Sequence, residues 1–256
     1  MKKEKVKKIK NKKKKKGLLF RFVRSIIKTF YGKVRHLGVE NIPSEPSIIV
    51  GNHAQMNGPI TAEIYAPFKR KTWCIGNMLH LRDFPKYMLE DICRYKPKWT
   101  RIFYLPFCYL IAPLAVYLFK TADTIGVYKD MRIISTLKKS VTALKEGEHL
   151  IIFPECHTKF NNIVYEFQDK FIDTAKLYFK DTGKELSFVP MYVAPKLKTI
   201  VYGKPIKFDS TSPIEEQRKI ICDYLKTEIT HLAQSLPVHT VVPYANIKKK
   251  NYPKSK

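Results

Sequence analysis

A histidine, a lysine and a glutamate follow three separate apolar runs of this sequence, each at a point where a strand is expected to end. His53 follows "IIVGN", Lys129 follows "TIGVY", and Glu155 follows "LIIFP". A histidine is a general base near neutral pH, a carboxylate can orient that base, and a lysine binds anions. Because ligands of open α/β sheets bind beyond the carboxyl ends of the strands, these residues predict one site at that edge.

The elements that would position such a site alternate between strands and helices along the chain. This alternation predicts an α/β fold, with a mixed central sheet flanked by helices. The final long helix is expected to have Ser212 as its N-cap and Pro213 at its first position. The strands are expected in "PSIIVGNH", "KTWCIGNML", "TIGVY", "HLIIFPE", "LSFVPMYVAP" and "TIVYGKPIKF", and the helices in "GPITAEIYAPF", "DFPKYMLEDICRYK", "RIISTLKKSVTALKEG", "YEFQDKFIDTAKLYFKDTG" and "SPIEEQRKIICDYLKTEITHLAQSL".

Residues 102–119 form a run of 18 residues without a charge. Its length permits a membrane-spanning helix, and that alternative stays open. Pro106 and Pro113 interrupt the run. We therefore expect a kinked pair of apolar helices, either buried or dipping into one leaflet.

The net charge of +26 lies mainly at the two ends of the chain. Residues 1–35 hold 16 Lys and Arg against one Glu, and residues 248–256 hold five Lys and no acid. Such blocks repel themselves and are usually disordered, and their natural partners are polyanions. We expect a disordered polylysine tail at 1–16, an amphipathic helix at 17–35, one domain at 36–240 and a basic tail at 241–256.

The segment "GLLFRFVRSIIKTFYGKVRH" has apolar residues at helical spacing and basic residues on another face. It is too short and too charged to span a bilayer. It predicts a helix that lies in an anionic membrane surface, because the polylysine arm supplies the second attraction that such binding needs. The alternative is a helix packed on the domain with a solvated basic face.

Five scattered cysteines without a CxxC pair predict neither a disulfide framework nor a zinc site. No metal or cofactor is expected. The scattered cysteines favour a reducing compartment, and the sequence starts with lysines and not with a signal peptide. Cys156 beside a strand-end histidine permits a Cys-His hydrolase, but an inert buried thiol is the preferred interpretation.

The order and spacing of several blocks resemble the glycerolipid acyltransferases of the 1-acylglycerol-3-phosphate acyltransferase family. "NHAQMNGP" is similar to the family's NHxxxxDP block, and "HLIIFPECHT" is similar to its hydrophobic FPEGTR block. "TIGVYKD", "FVPMYV" and "VYGKPI" resemble the segments that lie between and after these blocks. The resemblance covers residues 17–230 and implies the acyltransferase fold.

The resemblance implies that His53 is a general base, which takes the proton of a glycerol hydroxyl as its oxygen attacks an acyl thioester. In the family an Asp orients this histidine and the arginine of EGTR binds the acceptor phosphate. Here Gly58 stands at the Asp position, and Cys156, His157 and Thr158 replace the Gly, Thr and Arg of that block. The orienting carboxylate and the phosphate-binding guanidinium are therefore both absent from their usual positions.

Substitutes are available nearby in the sequence. Asn57 or Glu155 is expected to orient His53, which gives a divergent base. Lys129, Arg132 and Lys159 are the cations expected to replace the lost arginine, and a lysine would bind phosphate as a point charge. The predicted catalytic residues are His53, Glu155 and Asn57, and the predicted substrate-binding residues are Asn52, Gly58, Lys129, Arg132, His157, Thr158 and Lys159.

The function expected from these residues is an O-acyltransferase of phospholipid biosynthesis at the cytoplasmic face of the cell membrane, held there as a peripheral or monotopic protein. Acyl-CoA or acyl carrier protein would donate the acyl group, and a lysophosphatidic acid-like lipid would accept it. A non-catalytic lipid-binding protein of the same fold, or an acyltransferase with another acceptor, is the alternative. A nucleic-acid binder has less support, because the charge excess lies in the tails and no nucleic-acid motif occurs inside the domain.

Overall fold

The computed structural model describes residues 16–94 and 96–256, and its centre is an eight-stranded sheet. The strands follow the spatial order β1-β9-β8-β2-β5-β3-β4, and β10 pairs with β8. A separate hairpin is formed by β6 and β7. The strands are β1 (Arg35–Leu37), β2 (Ile48–Gly51), β3 (Arg70–Ile75), β4 (Ile125–Val127), β5 (His149–Ile152), β6 (Glu155–Phe160), β7 (Tyr165–Phe167), β8 (Ser187–Ala194), β9 (Thr199–Tyr202) and β10 (Ile206–Lys207).

The sheet is mostly parallel, and this arrangement confirms the predicted α/β class. Strands β2, β3, β4, β5 and β8 run in one direction. Strands β9 and β10 run antiparallel to β8, and β1 runs parallel to β9. The carboxyl ends of the five parallel strands therefore lie at one edge of the sheet, where the sequence places the candidate site.

Both faces of the sheet are buried, as expected for strands that read as continuous apolar runs. Ile48 and Val50 of β2 pack on one face with residues of α5, α6 and α7, while Ile49 packs on the other face with Ala62 of α2. The helices are α1 (Leu18–Tyr31), α2 (Asn57–Tyr65), α3 (Phe84–Cys93), α4 (Arg101–Thr121), α5 (Ile133–Lys145), α6 (Asp173–Thr182) and α7 (Ile214–Ser235).

Two helix predictions need correction. The helix expected from Tyr165 begins only at Asp173, because Tyr165–Phe167 pairs with β6 and a 3-10 turn follows at Asp169–Ile172. Helix α7 begins at Ile214 with Pro213 as its N-cap, one residue later than expected. Ser212 instead donates its hydroxyl to Asp209.

The apolar run forms one helix, α4, with both prolines inside it, and not the predicted pair. Cys108, Ala112 and Val116 are its buried stripe, which packs against the region of α3. Much of the rest of α4 is exposed, as Leu110 at 79% illustrates. Within the described residues, the segment Lys98–Thr121 is the one helical stretch whose length and composition would let it cross a membrane.

Helix α1 has a buried apolar residue on one side and exposed apolar residues on another. Phe20 is buried against the domain, whereas Phe22 and Phe30 are 64% and 84% exposed. Polar contacts fix the helix to the domain, since Arg24 donates to the carbonyl of Ile64 and Tyr65 donates to that of Gly32. The helix thus packs on the domain and still leaves an apolar face uncovered.

The two basic ends of the chain differ. The predicted polylysine tail lies outside the described residues, apart from Lys16, which pairs with Glu63. At the other end the prediction of a disordered lysine block is wrong. Residues 241–256 are packed on the domain. Val241, Ala245 and Ser255 are buried there. Apolar residues inside the segment offset the mutual repulsion of its lysines.

Candidate active site

Strand β2 lies between β5 and β8, so its carboxyl end is the centre of the site edge. Asn52 extends the pairing of β2 with β8 by one residue through its side chain. Its amide donates to the carbonyl of Val193 at 3.1 Å and accepts from the N–H of Val193 at 2.7 Å. Asn52 is 2% exposed. This buried amide fixes the point at which the chain leaves the sheet and presents His53.

The loop after His53 turns back so that a backbone carbonyl meets the histidine ring. Ala54 and Gln55 have φ values of 45° and 55°, a left-handed conformation that is uncommon for residues other than glycine. This turn brings the carbonyl of Gln55 to Nδ1 of His53. Because a carbonyl only accepts, Nδ1 carries the proton and Nε2 keeps its lone pair. The backbone of Gln55 therefore fixes the ring and tautomer in the way that an orienting carboxylate would.

Gly58 stands where the resemblance places that carboxylate, and the packing there requires a glycine. A Cβ at this position would lie 2.6 Å from the carbonyl oxygen of His53 and 2.7 Å from that of Asn52. The N–H of Gly58 also donates to the carbonyl of His53 at 3.0 Å. The close approach leaves no room for any side chain, so an aspartate would not fit this loop.

Glu155 contacts the backbone of His53 and not its ring. One carboxyl oxygen accepts the N–H of His53 at 2.5 Å, and the other accepts the N–H of Tyr165 at 2.8 Å. The side chain is 4% exposed, and burial raises its pKa to about 7, although the two N–H groups partly counter this effect. Glu155 thus ties the end of β2 to β7 and positions the histidine through its main chain.

Asn57, the other predicted partner of His53, is turned towards helix α1. Its amide oxygen accepts the hydroxyl of Tyr31 at 2.8 Å, and its amide nitrogen donates to the carbonyl of Ala54 at 2.9 Å. Neither contact involves the histidine ring. Asn57 holds the loop shape and links it to the amphipathic helix.

The ring of His53 is half-buried among aromatic side chains. Phe153 lies at 5.5 Å between ring centroids, and Tyr244 lies at 4.8 Å. His157 stacks on Tyr244 at 4.4 Å, so the tyrosine contacts both histidines. Burial lowers the pKa of both histidines, which keeps them neutral and able to accept a proton at neutral pH.

The other predicted substrate-binding residues lie outside this cluster. Thr158 and Lys159 are exposed on β6. Lys129 and Arg132 follow β4, which is separated from β2 by β5 and β3. Arg132 forms an ion pair with Asp130 at 2.7 Å and lies over the ring of Tyr128 at 4.1 Å. The structure therefore brings His53, Glu155 and His157 together, whereas Lys129 and Arg132 follow a strand that lies three places from β2.

Several residues near the site are not identified by the sequence reasoning. The carboxylate of Asp91 on α3 lies close enough to raise the pKa of His53, although burial outweighs it. The charge of Arg94 acts against protonation of His157 and likewise lowers its pKa. The apolar run "TVVPYANI" around Tyr244 is a signal that the C-terminal segment packs on the domain. Among the described residues, no cluster of three or more His, Cys, Asp or Glu side chains is arranged to hold a metal ion.

Comparison with known proteins adds a structural likeness only. No protein-family profile matches the chain, and no curated protein sequence matches it at a significant level. The fold is similar to that of the crystal structure of the 1-acyl-sn-glycerophosphate (LPA) acyltransferase PlsC from Thermotoga maritima. The TM-score is 0.50 at 15% sequence identity, over 85% of this chain and 83% of that chain. At this identity the likeness establishes the shared fold.

Proposed function

We propose that this chain is an O-acyltransferase and a divergent relative of the 1-acylglycerol-3-phosphate acyltransferases. It moves a fatty acyl group from an acyl thioester to the hydroxyl of a lysophosphatidic acid-like acceptor. The observation that carries the proposal is His53, held at the carboxyl end of β2 with Nδ1 bonded to the carbonyl of Gln55. The fold shared with PlsC supports the same reaction class.

In the proposed reaction Nε2 of His53 accepts the proton of the acceptor hydroxyl. The oxygen attacks the thioester carbonyl and forms a tetrahedral intermediate. The carbon–sulfur bond then breaks, and the thiolate takes the proton from the imidazolium. The lowered pKa of His53 suits the first step, because the ring is neutral before the acceptor arrives.

The acceptor phosphate needs a cation near His53. Arg94 is the candidate we favour over Lys129 and Arg132, because its charge acts on His157 and Tyr244 beside the base. A guanidinium also binds phosphate in a bidentate manner. Lys159 remains a prediction from the sequence for the same role, and Thr158 remains a predicted substrate-binding residue.

The membrane surface is the proposed site of action. The uncovered apolar faces of α1 and α4 could contact lipid. Phe30 is the most exposed apolar residue of α1, and Leu110 is that of α4. Lysines of the N-terminal region would add attraction to anionic lipids. The cytoplasmic face of the cell membrane, the thioester donor (acyl-CoA or acyl carrier protein) and the phospholipid-biosynthesis role are parts of this proposal.

The test is a turnover assay of the full chain on anionic vesicles with palmitoyl-CoA or palmitoyl-acyl carrier protein and lysophosphatidic acid. Phosphatidic acid would be measured by mass spectrometry and free thiol by a colorimetric reagent. His53→Ala should lower turnover at least about 100-fold, as expected for loss of a general base. His231→Ala is the matched control, because this exposed histidine lies on α7.

A non-catalytic lipid-binding protein of the same fold is the second candidate, and the cover of Tyr244 over His53 favours it. Vesicle binding without thioester consumption, for any lysophospholipid acceptor supplied, would favour this alternative. Turnover that is unchanged in His53→Ala would remove the histidine from the reaction.

A further inference from the structure

The C-terminal loop, defined here as residues 239–256, is closed at its base by pairing of its own two ends. The N–H of Val241 donates to the carbonyl of Pro253 at 2.9 Å, and the N–H of Ser255 donates to that of His239 at 3.0 Å. The ring of His239 also contacts the hydroxyl of Tyr192 in β8 at 2.9 Å. The base of the loop is thus attached to the central sheet.

The tip of the C-terminal loop lies on the candidate active site at three points. Tyr244 contacts the rings of both His53 and His157. The hydroxyl of Tyr252 accepts the side-chain amide of Gln55 at 2.7 Å, directly beside the carbonyl that orients His53. Asn246 donates to Asp91 of α3 at 3.2 Å. The tip therefore contacts His53, its neighbour Gln55 and helix α3.

The contacts at the tip differ in kind from those at the base. The tip is held by the ring contacts of Tyr244, by the buried Ala245 and by two side-chain hydrogen bonds, and Asn246 is exposed. The base combines backbone pairing with the buried residues Val241 and Ser255. Segments that open over active sites are drawn from the least stable parts of a fold. The tip is therefore the part of the loop that an opening motion would involve.

The tip also carries three consecutive exposed lysines, Lys248, Lys249 and Lys250. They lie in the chain between the two tyrosines that contact the site. The attraction of one lysine to an anionic lipid surface is of the same order as one net hydrogen bond in a protein. The attraction of the three lysines is therefore comparable with the two side-chain hydrogen bonds of the tip, those of Tyr252 and Asn246.

We infer that the C-terminal loop is a lid that covers His53 in the free protein and opens when its three lysines meet an anionic lipid surface. The identity of the molecule that the open lid admits depends on the proposed acyl transfer. The opening itself can be measured without any turnover. In the closed state Tyr244 occupies the space in front of the histidine ring. Opening uncovers the ring at the surface where a lipid acceptor is located.

The test measures how fast diethyl pyrocarbonate modifies His53 in the full-length protein, by mass spectrometry of peptides. His231 is the internal reference, because its side chain is 64% exposed. His53 should react at least about tenfold more slowly than His231 in the free protein, although its lowered pKa favours reaction. Vesicles of phosphatidylcholine with phosphatidylglycerol should remove most of this difference, and vesicles of phosphatidylcholine alone should not.

Two sets of variants test separately whether the tyrosines cover His53 and whether the lysines open the lid on lipid. Tyr244→Ala should expose His53 without vesicles, and Tyr252→Phe should do so in part, which gives a milder variant if the first fails to fold. Tyr109→Ala, at an exposed tyrosine of α4, should react like the unmodified protein. The triple variant Lys248→Gln, Lys249→Gln, Lys250→Gln should keep His53 covered even when vesicles bind the protein.

The inference is overturned if folded Tyr244→Ala and Tyr252→Phe both leave the reactivity of His53 unchanged. It is equally overturned if the triple lysine variant opens on anionic vesicles like the unmodified protein. A working lid on a protein without turnover would contradict only the proposed function. Turnover with His53 already exposed in the free protein would contradict only the lid.

Discussion

The carboxyl ends of β2 and β4 lie at the same edge of the sheet but are built very differently. At the end of β2, His53 is held by a backbone carbonyl, and its own N–H is held by the buried Glu155. At the end of β4, Arg132 is exposed and pairs with its near neighbour Asp130. Buried interactions therefore position His53, whereas the cations after β4 are exposed and have few such interactions.

The end of β2 also shows how the ring of His53 is oriented without a carboxylate. The tight packing of Gly58 on the carbonyls of Asn52 and His53 excludes a side chain. The left-handed turn at Ala54 and Gln55 supplies a carbonyl in its place. The glycine at position 58 and the turn at Ala54 and Gln55 are therefore two parts of one arrangement.

The largest expected effect comes from breaking this arrangement with Gly58→Ala. The added Cβ would press on two carbonyl oxygens, so we expect a loss of about 3 kcal/mol in the free energy of unfolding, at the upper end for overpacking. Chemical unfolding measures the loss. Gly58→Asp should lower turnover as well, because it brings the same clash and does not restore a family-like pair.

Gly147→Ala is the matched control for that prediction. Gly147 has a φ of 80°, but a Cβ there would meet no atom within 4 Å. Only backbone strain is expected, about 1 kcal/mol. Equal losses in the two variants would show that the approach of Gly58 to the carbonyls is not the constraint proposed here.

The second prediction concerns the pH dependence of stability through Glu155. Its pKa is about 7 in the folded protein, against an ordinary value of 4.5. Between these two values the folded state holds the proton more tightly than the unfolded state. The contribution of Glu155 to stability is therefore complete below pH 4.5 and is lost as the pH rises to about 7. The expected loss is roughly 2–3 kcal/mol, since one pKa unit corresponds to about 1.4 kcal/mol.

Glu155→Gln isolates this contribution, because the amide does not titrate. The stability difference between the native protein and Glu155→Gln should shrink as the pH rises from 4.5 to 7. The lowered pKa values of His53 and His157 act in the opposite direction, but they are common to both proteins. A stability difference that does not vary with pH would contradict the raised pKa.

The sequence predicts the central sheet well because β2, β5 and β8 are continuous apolar runs buried on both faces. It misses β1, β6 and β7, which are short or polar and pair through backbone contacts that a local pattern does not reveal. The sequence also predicts two helices where the structure has the single helix α4, because Pro106 and Pro113 interrupt the apolar run. The buried stripe of Cys108, Ala112 and Val116 holds that helix together despite the lost hydrogen bonds.

The candidate site is less predictable than the sheet for a physical reason. The position of His53 follows from the end of an apolar run, and that of Glu155 follows from another. The acceptor for the ring is a main-chain carbonyl, which every residue has, so no residue type identifies Gln55. The cover by Tyr244 is a contact across almost 200 residues, and only the apolar character of its neighbours indicates that it packs at all.

The smallest expected effect is that of Arg132→Gln at the end of β4. The guanidinium is exposed and already paired with Asp130, so its removal should leave the unfolding midpoint unchanged and alter the KM for lysophosphatidic acid by less than about threefold.

Arg94→Gln, an equal change of charge near His157, should raise that KM by at least about tenfold if the guanidinium binds the phosphate. Steady-state kinetics on the two variants compare the two regions directly. If Arg132→Gln has the larger effect, the acceptor reaches across β5 and β3 to the end of β4, and the site extends over both strand ends.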